Sequence, residues 1–144
     1  MEIEHTLLFR KIHGCLVGGL VGDAMGGPSE GMHYKDIGNR FGKITRMMDY
    51  RGRPAGHATD DSALKHMLCK AIIRKGGTPS CEDWAAVWAE DMDPNMFFTP
   101  VANSFNKIFL MGVPPREAGR GNQLSNSSAM CISPIGIIDA CNPR

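Results

Sequence analysis

In the run Thr59-Asp60-Asp61-Ser62 the first three residues set one hydroxyl and two carboxylates in succession. Hard oxygen donors of this kind suit a divalent cation such as Mg2+, which keeps water for the rest of its shell. Adjacent carboxylates repel one another, and a bound cation would relieve that repulsion. The same residues have a plainer use, because Thr or Asp caps a helix and early acids favour the positive end of its dipole. A second group is the loop Asn122-Gln123-Leu124-Ser125-Asn126-Ser127-Ser128, whose short hydroxyls lead into a helical stretch. Hydroxyls and the first N–H groups of a helix make a receptor for phosphate, although an ordinary interhelical loop has the same composition. No Gly-x-x-x-x-Gly-Lys phosphate loop accompanies it. A third group is Gly22-Asp23-Ala24-Met25-Gly26-Gly27-Pro28-Ser29-Glu30, two acids in a Gly/Pro-rich exit that reads as the wall of a site. His66 and Cys69 stand three apart, as two metal ligands on one helix would, but no second pair completes a tetrahedron.

Helices must position these groups. Residues 7–26 read as a helix with Gly14, Gly18, Gly22 and Gly26 at every fourth position, a stripe that invites close approach by another backbone. Each interior glycine costs about 1 kcal/mol relative to alanine, so tight helix packing is the reading that periodicity favours. Residues 31–58, rich in turn formers, read as a long irregular connection with one short extended piece near Ile44. Residues 59–75 form the clearest helix, with Ala63, Leu64, Met67, Leu68, Ala71 and Ile72 at helical spacing, basic residues near its end and Gly76-Gly77 to stop it. Further helices are expected over 80–92, with Ser80 and Asp83 at capping spacing, and over 101–111. The last holds Ala129, Met130 and Ile132 and bends near Pro134. No alternating strand pattern and no repeat competes, so the fold class is all-α.

Composition bounds the rest. The 144 residues carry 16 Lys plus Arg against 15 Asp plus Glu, and a net charge of +1 gives no signature of a nucleic-acid binder. Hydrophobic residues at 42% and charged residues at 22% describe an ordinary globular domain, and the length suits one. The apolar stretch Gly14 to Gly22 is far shorter than the ~20 residues of a membrane span. Met1-Glu2-Ile3-Glu4 lacks the basic start of an export signal, so a cytoplasmic address is expected. Five cysteines at irregular spacing read as free, mostly buried thiols. From Arg40 to Lys75 nine basic residues face Asp49, Asp60 and Asp61, either as a solvated face or for an anionic small molecule.

The order of the motifs is more specific than any one of them. The Gly-rich helix ending in Gly22-Asp23 through Glu30, then Gly56-His57-Ala58-Thr59-Asp60-Asp61-Ser62, then Gly121-Asn122 and Asn126-Ser127-Ser128-Ala129-Met130-Cys131-Ile132-Ser133-Pro134-Ile135-Gly136, closely resembles the ADP-ribosylglycohydrolase family. The resemblance runs from about Ile12 to Ile138 and matches the N-terminal part of that family's domain, so residues 1–144 are expected to be that portion of a single domain. It implies a compact orthogonal helical bundle and a magnesium-dependent hydrolase that cleaves the glycosidic bond of an ADP-ribosyl group with a metal-activated water. Two Mg2+ ions are expected in the complete domain, with Mn2+ as the alternative cation. Thr59, Asp60 and Asp61 match the family's metal ligands, and Glu30 joins Asp60 and Asp61 as a catalytic candidate, with a proton-transfer or gating role. Gly121, Asn122, Ser125, Asn126, Ser127, Ser128 and Met130 match its substrate-binding region. The implied partner is ADP-ribose or an ADP-ribosylated protein, with no nucleic acid, no membrane and no particular oligomeric state.

The match departs from the family's pattern at named positions. Cys131 stands where the family often has Arg, and Asn126-Ser127 replaces its common Asn-Gly step. The family's later Asp-x-Asp-[Ser/Thr] motif is not among the 144 residues, and Asp91-Met92-Asp93, followed by Pro94, reads as a solvated helix end. Two other readings stand beside the hydrolase: a catalytically silent ADP-ribose or nucleotide-binding module, and a helical interaction domain in which Thr59-Asp60-Asp61 only caps and the glycines only pack.

Overall fold

A computed structural model describes residues 6–140. The N-terminal tetrapeptide of the export argument and the thiol of Cys141 lie outside these residues. The described residues are helical without a named strand, and the all-α class stands. The chain divides into two compact units, Met1–Ser62 and Ala63–Arg144.

In the first unit α1 spans Leu7–Gly26, as the glycine-rich pattern predicts, and the Thr6 hydroxyl caps it by accepting the Phe9 N–H at 3.1 Å. The packing expected along its stripe is not found: no atom lies within 4 Å of where a Cβ would sit at Gly14, Gly18, Gly22 or Gly26. Leu7, Leu8, Val17, Leu20 and Val21 are exposed as well, and Ala24 is the buried residue of this helix. A 3-10 turn, Gly27–Ser29, carries the chain to Glu30.

The connection that follows is not wholly irregular, because α2 occupies Tyr34–Phe41. His33 Nδ1 caps it by accepting the Lys35 N–H at 3.3 Å, and Gly42 at φ 60° ends it. No extended piece forms at Ile44. The only strand-like pairing among the described residues is an isolated bridge between Tyr50 and Arg53.

Helix α3 spans Asp60–Lys75, with Thr59 just before it. Its residues Leu64, Met67 and Ala71 belong to the core of the second unit, with Val87, Trp88 and Met92, Val101, and Cys131. The spacing of these residues follows from the helix period, which returns a side chain to one face every three or four positions. Helix α4 is Cys81–Asp91, opened by the expected capping box: the Asp83 N–H donates to Ser80 Oγ at 3.1 Å and the Ser80 N–H to Asp83 Oδ2 at 2.8 Å. Ion pairs tie α3 to α4, Lys70 with Asp91, Arg74 with Glu90 through two hydrogen bonds of 2.8 and 2.6 Å, and Lys75 with Asp83 at 3.1 Å. Three of the nine basic residues are thereby engaged by acids.

Helix α5 covers Thr99–Phe109, two residues earlier than its apolar pattern suggests, because Pro100 fits a helix's first turn. The final helix is broken into α6, Ser127–Cys131, and α7, Ser133–Ile138. Pro134 lacks the N–H that a continuous helix would use, and it serves instead at the start of α7. Among the four described cysteines all are free, and only Cys131 is buried, fewer than expected. No helix among the described residues is long and apolar enough to cross a membrane.

Candidate functional site

The acids of the first unit meet at the start of α3. Asp23, near the end of α1, accepts three hydrogen bonds there. Its Oδ2 takes the N–H of Thr59 at 3.0 Å and the N–H of Ser62 at 3.2 Å, and its Oδ1 takes the Thr59 hydroxyl at 2.6 Å. These N–H groups have no partner inside the helix, so a carboxylate from 36 residues away completes the cap. Thr59 Oγ1 in turn accepts the Asp61 N–H at 3.3 Å and lies 3.2 Å from Asp61 Oδ2. With its proton committed to Asp23, the hydroxyl turns lone pairs elsewhere, the form in which an alcohol oxygen ligates a cation. Thr59 therefore caps and is oriented as a donor at once.

Glu30 belongs to the same cluster. Burial pushes its carboxyl above the ordinary glutamate range, Asp60 pushes it further, and Asp61 and Asp23 add to this, while Arg51 opposes them. Three carboxylates thus act on Glu30, with one arginine as the counter-charge. Asp60 Oδ2 is closed to solvent, and Ser62 Oγ is buried without a hydrogen-bond partner in the first turn of α3. An orphaned buried hydroxyl marks a place for a water or a ligand oxygen.

The donor set fits a hard divalent cation in kind: alcohol and carboxylate oxygens in a concentration of negative charge that a dication would relieve. In number it is an open set. Among the described residues no group of three or more His, Cys, Asp or Glu side chains gathers closely enough to enclose a metal, and His66 with Cys69 recruits no third ligand. Asp91 is paired with Lys70, and Asp93 accepts the Asn95 N–H at 3.0 Å, so Asp91-Met92-Asp93 finishes a helix.

The expected substrate-binding residues all lie in the second unit. Asn122 anchors their loop: its Nδ2 donates to Ser104 Oγ at 2.8 Å and to the Pro100 and Ala118 carbonyls at 3.0 and 3.3 Å, and its Oδ1 accepts from Lys107 Nζ at 2.6 Å. An amide so engaged sets loop shape and has no donor left for a ligand. A cavity of about 440 Å³ opens beside the loop. Ser125, Ser127 and Ser128 line it over an apolar floor that includes Trp84 and Trp88. Ser125 Oγ and Ser127 Oγ share a hydrogen bond of 2.8 Å. Gly121, Asn126 and Met130 are outside that lining. Gly121 turns the chain at φ 72°, Asn126 precedes α6, and Met130 packs against the core.

Sequence reading singles out Asp23 only as one of two acids in the glycine-rich exit, and its partnership with Thr59 depends on the fold. Asp23 is the residue of this site that motif spacing misses.

No curated protein and no solved structure matches the chain significantly. A family model described as ADP-ribosylglycohydrolase matches residues 4–144, nearly the whole sequence, and with that span the chain belongs to the ADP-ribosylglycohydrolase family.

Proposed function

We propose that this chain acts as a divalent-cation-dependent hydrolase on the glycosidic bond of an ADP-ribosyl group. The observation that carries this reading is the arrangement at the start of α3, where Asp23 orients Thr59 beside Asp61 and where Glu30 feels Asp60, Asp61 and Asp23. In a member of this family, that arrangement supports Thr59, Asp60 and Asp61 as the residues that hold Mg2+ or Mn2+. When bound, the cation supplies positive charge against the carboxylates and Lewis-acid activation of water.

The protein's own groups have distinct tasks. Breaking the bond at the anomeric carbon develops oxocarbenium charge, which a concentration of carboxylates stabilises. Glu30 holds a proton more tightly than an ordinary glutamate. That property suits it to take a proton from the attacking water and pass it on to the leaving group. Asp23 keeps the Thr59 hydroxyl turned and the first turn of α3 in place. In the second unit, Ser125, Ser127 and Ser128 offer hydroxyls to phosphate oxygens, and Asn122 fixes the loop that presents them.

The test is release of ADP-ribose from ADP-ribosyl-arginine and ADP-ribosyl-serine peptides by the 144-residue chain. Release that requires Mg2+ and is lost in Asp61→Asn supports the reading. Binding of ADP-ribose without release from either peptide overturns it in favour of the silent module, and absence of both favours the interaction domain.

A further inference from the structure

Arg51 sits at the tip of a two-residue hairpin. Tyr50 and Arg53 exchange both backbone hydrogen bonds, the Tyr50 N–H to the Arg53 carbonyl at 3.0 Å and the Arg53 N–H to the Tyr50 carbonyl at 2.8 Å. The two central residues, Arg51 at φ 48° and Gly52 at φ 77°, are both left-handed. Turns of this kind favour Asn or Gly at their first central position, because a larger side chain crowds the backbone there. Arg51 is the only non-glycine residue with positive φ among those described. Strain retained at such a position commonly accompanies a functional side chain.

The hairpin is also fixed in place. Tyr50 lays its ring on Gly27, where a Cβ would come within 2.7 Å of Tyr50 Cζ, so the close seat requires glycine. Asp49 Oδ1 accepts the Ala55 N–H at 2.6 Å, and the Tyr50 hydroxyl donates to the His57 carbonyl at 3.4 Å. Gly27 opens the turn that ends at Glu30, whose N–H donates to the Gly27 carbonyl at 3.3 Å. The foot of the hairpin therefore rests on the turn that carries Glu30. In agreement, Arg51 is the cation whose charge acts on Glu30.

The need for such a cation follows from the charge of the site. Asp23, Glu30, Asp60 and Asp61 repel an anionic substrate, and the diphosphate of an ADP-ribosyl group is anionic. Arg51 is exposed, and its guanidinium forms no ion pair among the described residues, unlike Lys70, Arg74 and Lys75. A planar guanidinium binds phosphate oxygens through paired hydrogen bonds.

We propose that Arg51 binds the diphosphate of the ADP-ribosyl substrate, with the Tyr50–Arg53 hairpin as its rigid mount. The proposal rests on the function proposed above and goes beyond it by naming a recognition residue in the first unit.

The experiment is calorimetric titration of ADP-ribose into the chain with Mg2+, at low and high NaCl, for wild type, Arg51→Asn and Arg51→Lys. Asn suits the left-handed turn, which offsets the loss of the counter-charge on Glu30, so Arg51→Asn should fold and melt close to wild type. It should bind ADP-ribose roughly tenfold more weakly, the loss expected for one charge-assisted contact. Its affinity should fall less with salt, and Arg51→Lys should recover part of the loss. Equal affinity and equal salt dependence in wild type and Arg51→Asn overturn this inference alone. A wild-type chain that binds no ADP-ribose overturns it together with the proposed function.

Discussion

Replacing Asp23 with alanine should destabilise the first unit by about 2–3 kcal/mol, because three hydrogen bonds end on that carboxylate. Each such bond contributes a net ~0.5–1.5 kcal/mol, more when the acceptor is charged, and loss of a helix cap alone costs about 1 kcal/mol. Asp23 also adds to the repulsion felt by Glu30, as the last of its causes, so relief of that repulsion offsets only part of the loss. Asp23→Asn keeps one oxygen able to accept and should lose about half as much. Urea unfolding followed by circular dichroism measures the change, and amide exchange locates it. Thr59 and Ser62 N–H protection should fall in Asp23→Ala, while protection in α4 should not. A stability within about 0.5 kcal/mol of wild type would refute a capping role for Asp23, since that is the range of an uninvolved surface change. Unaltered exchange at Thr59 and Ser62 would refute it as well.

Gly27→Ala should displace the Tyr50 ring and cost roughly 1 kcal/mol, the scale of a modest overpacking. In the Tyr50→Ala background the same change should cost nothing, and a double-mutant cycle reads the difference. Ser80→Ala should remove about 1 kcal/mol by breaking the capping box of α4, measured as a shift in urea midpoint. Glu90 and Asp91 are held below the usual carboxylate range by Arg74 and Lys70. The stability they add is complete above the unfolded-state value and fades as pH falls through the folded one, so Arg74→Gln should narrow the loss of melting temperature on acidification. Glu30 has the opposite sign. Its folded value is raised, so its penalty is full above that value and vanishes below the unfolded one, and Glu30→Gln should raise the melting temperature of the metal-free chain at neutral pH but not in acid.

What the sequence made legible was local. α1, α3 and α4 carry their own periodicity, and α3 and α4 their own start signals, in Thr59-Asp60-Asp61 and in Ser80 with Asp83, which the structure uses where they stand. Helix α2 escaped because its apolar face is only Tyr34, Ile37 and Phe41, with a glycine directly after Ile37. Its remaining signals, Asp36 in the first turn, Arg40 in the last and Gly42 beyond, are weak in a segment full of turn formers. The roles of Asp23 and Asn122 were illegible for another reason. Their partners lie up to 39 and 22 residues away, and no period or spacing encodes a bond across that distance. The glycine stripe of α1 shows the reverse failure, since periodicity specified a packing face that no described residue covers.

Cation binding by the oxygens at the start of α3 is the step on which the proposed hydrolysis depends. Calorimetric titration of Mg2+ into wild type, Asp60→Asn, Asp61→Asn and Asp91→Asn tests it most directly. Saturable binding is expected in wild type, with at least a tenfold loss in Asp60→Asn and Asp61→Asn, and wild-type binding in Asp91→Asn, whose carboxylate pairs with Lys70. Identical titrations for wild type and the two α3 variants, or no binding by the wild-type chain, would contradict it.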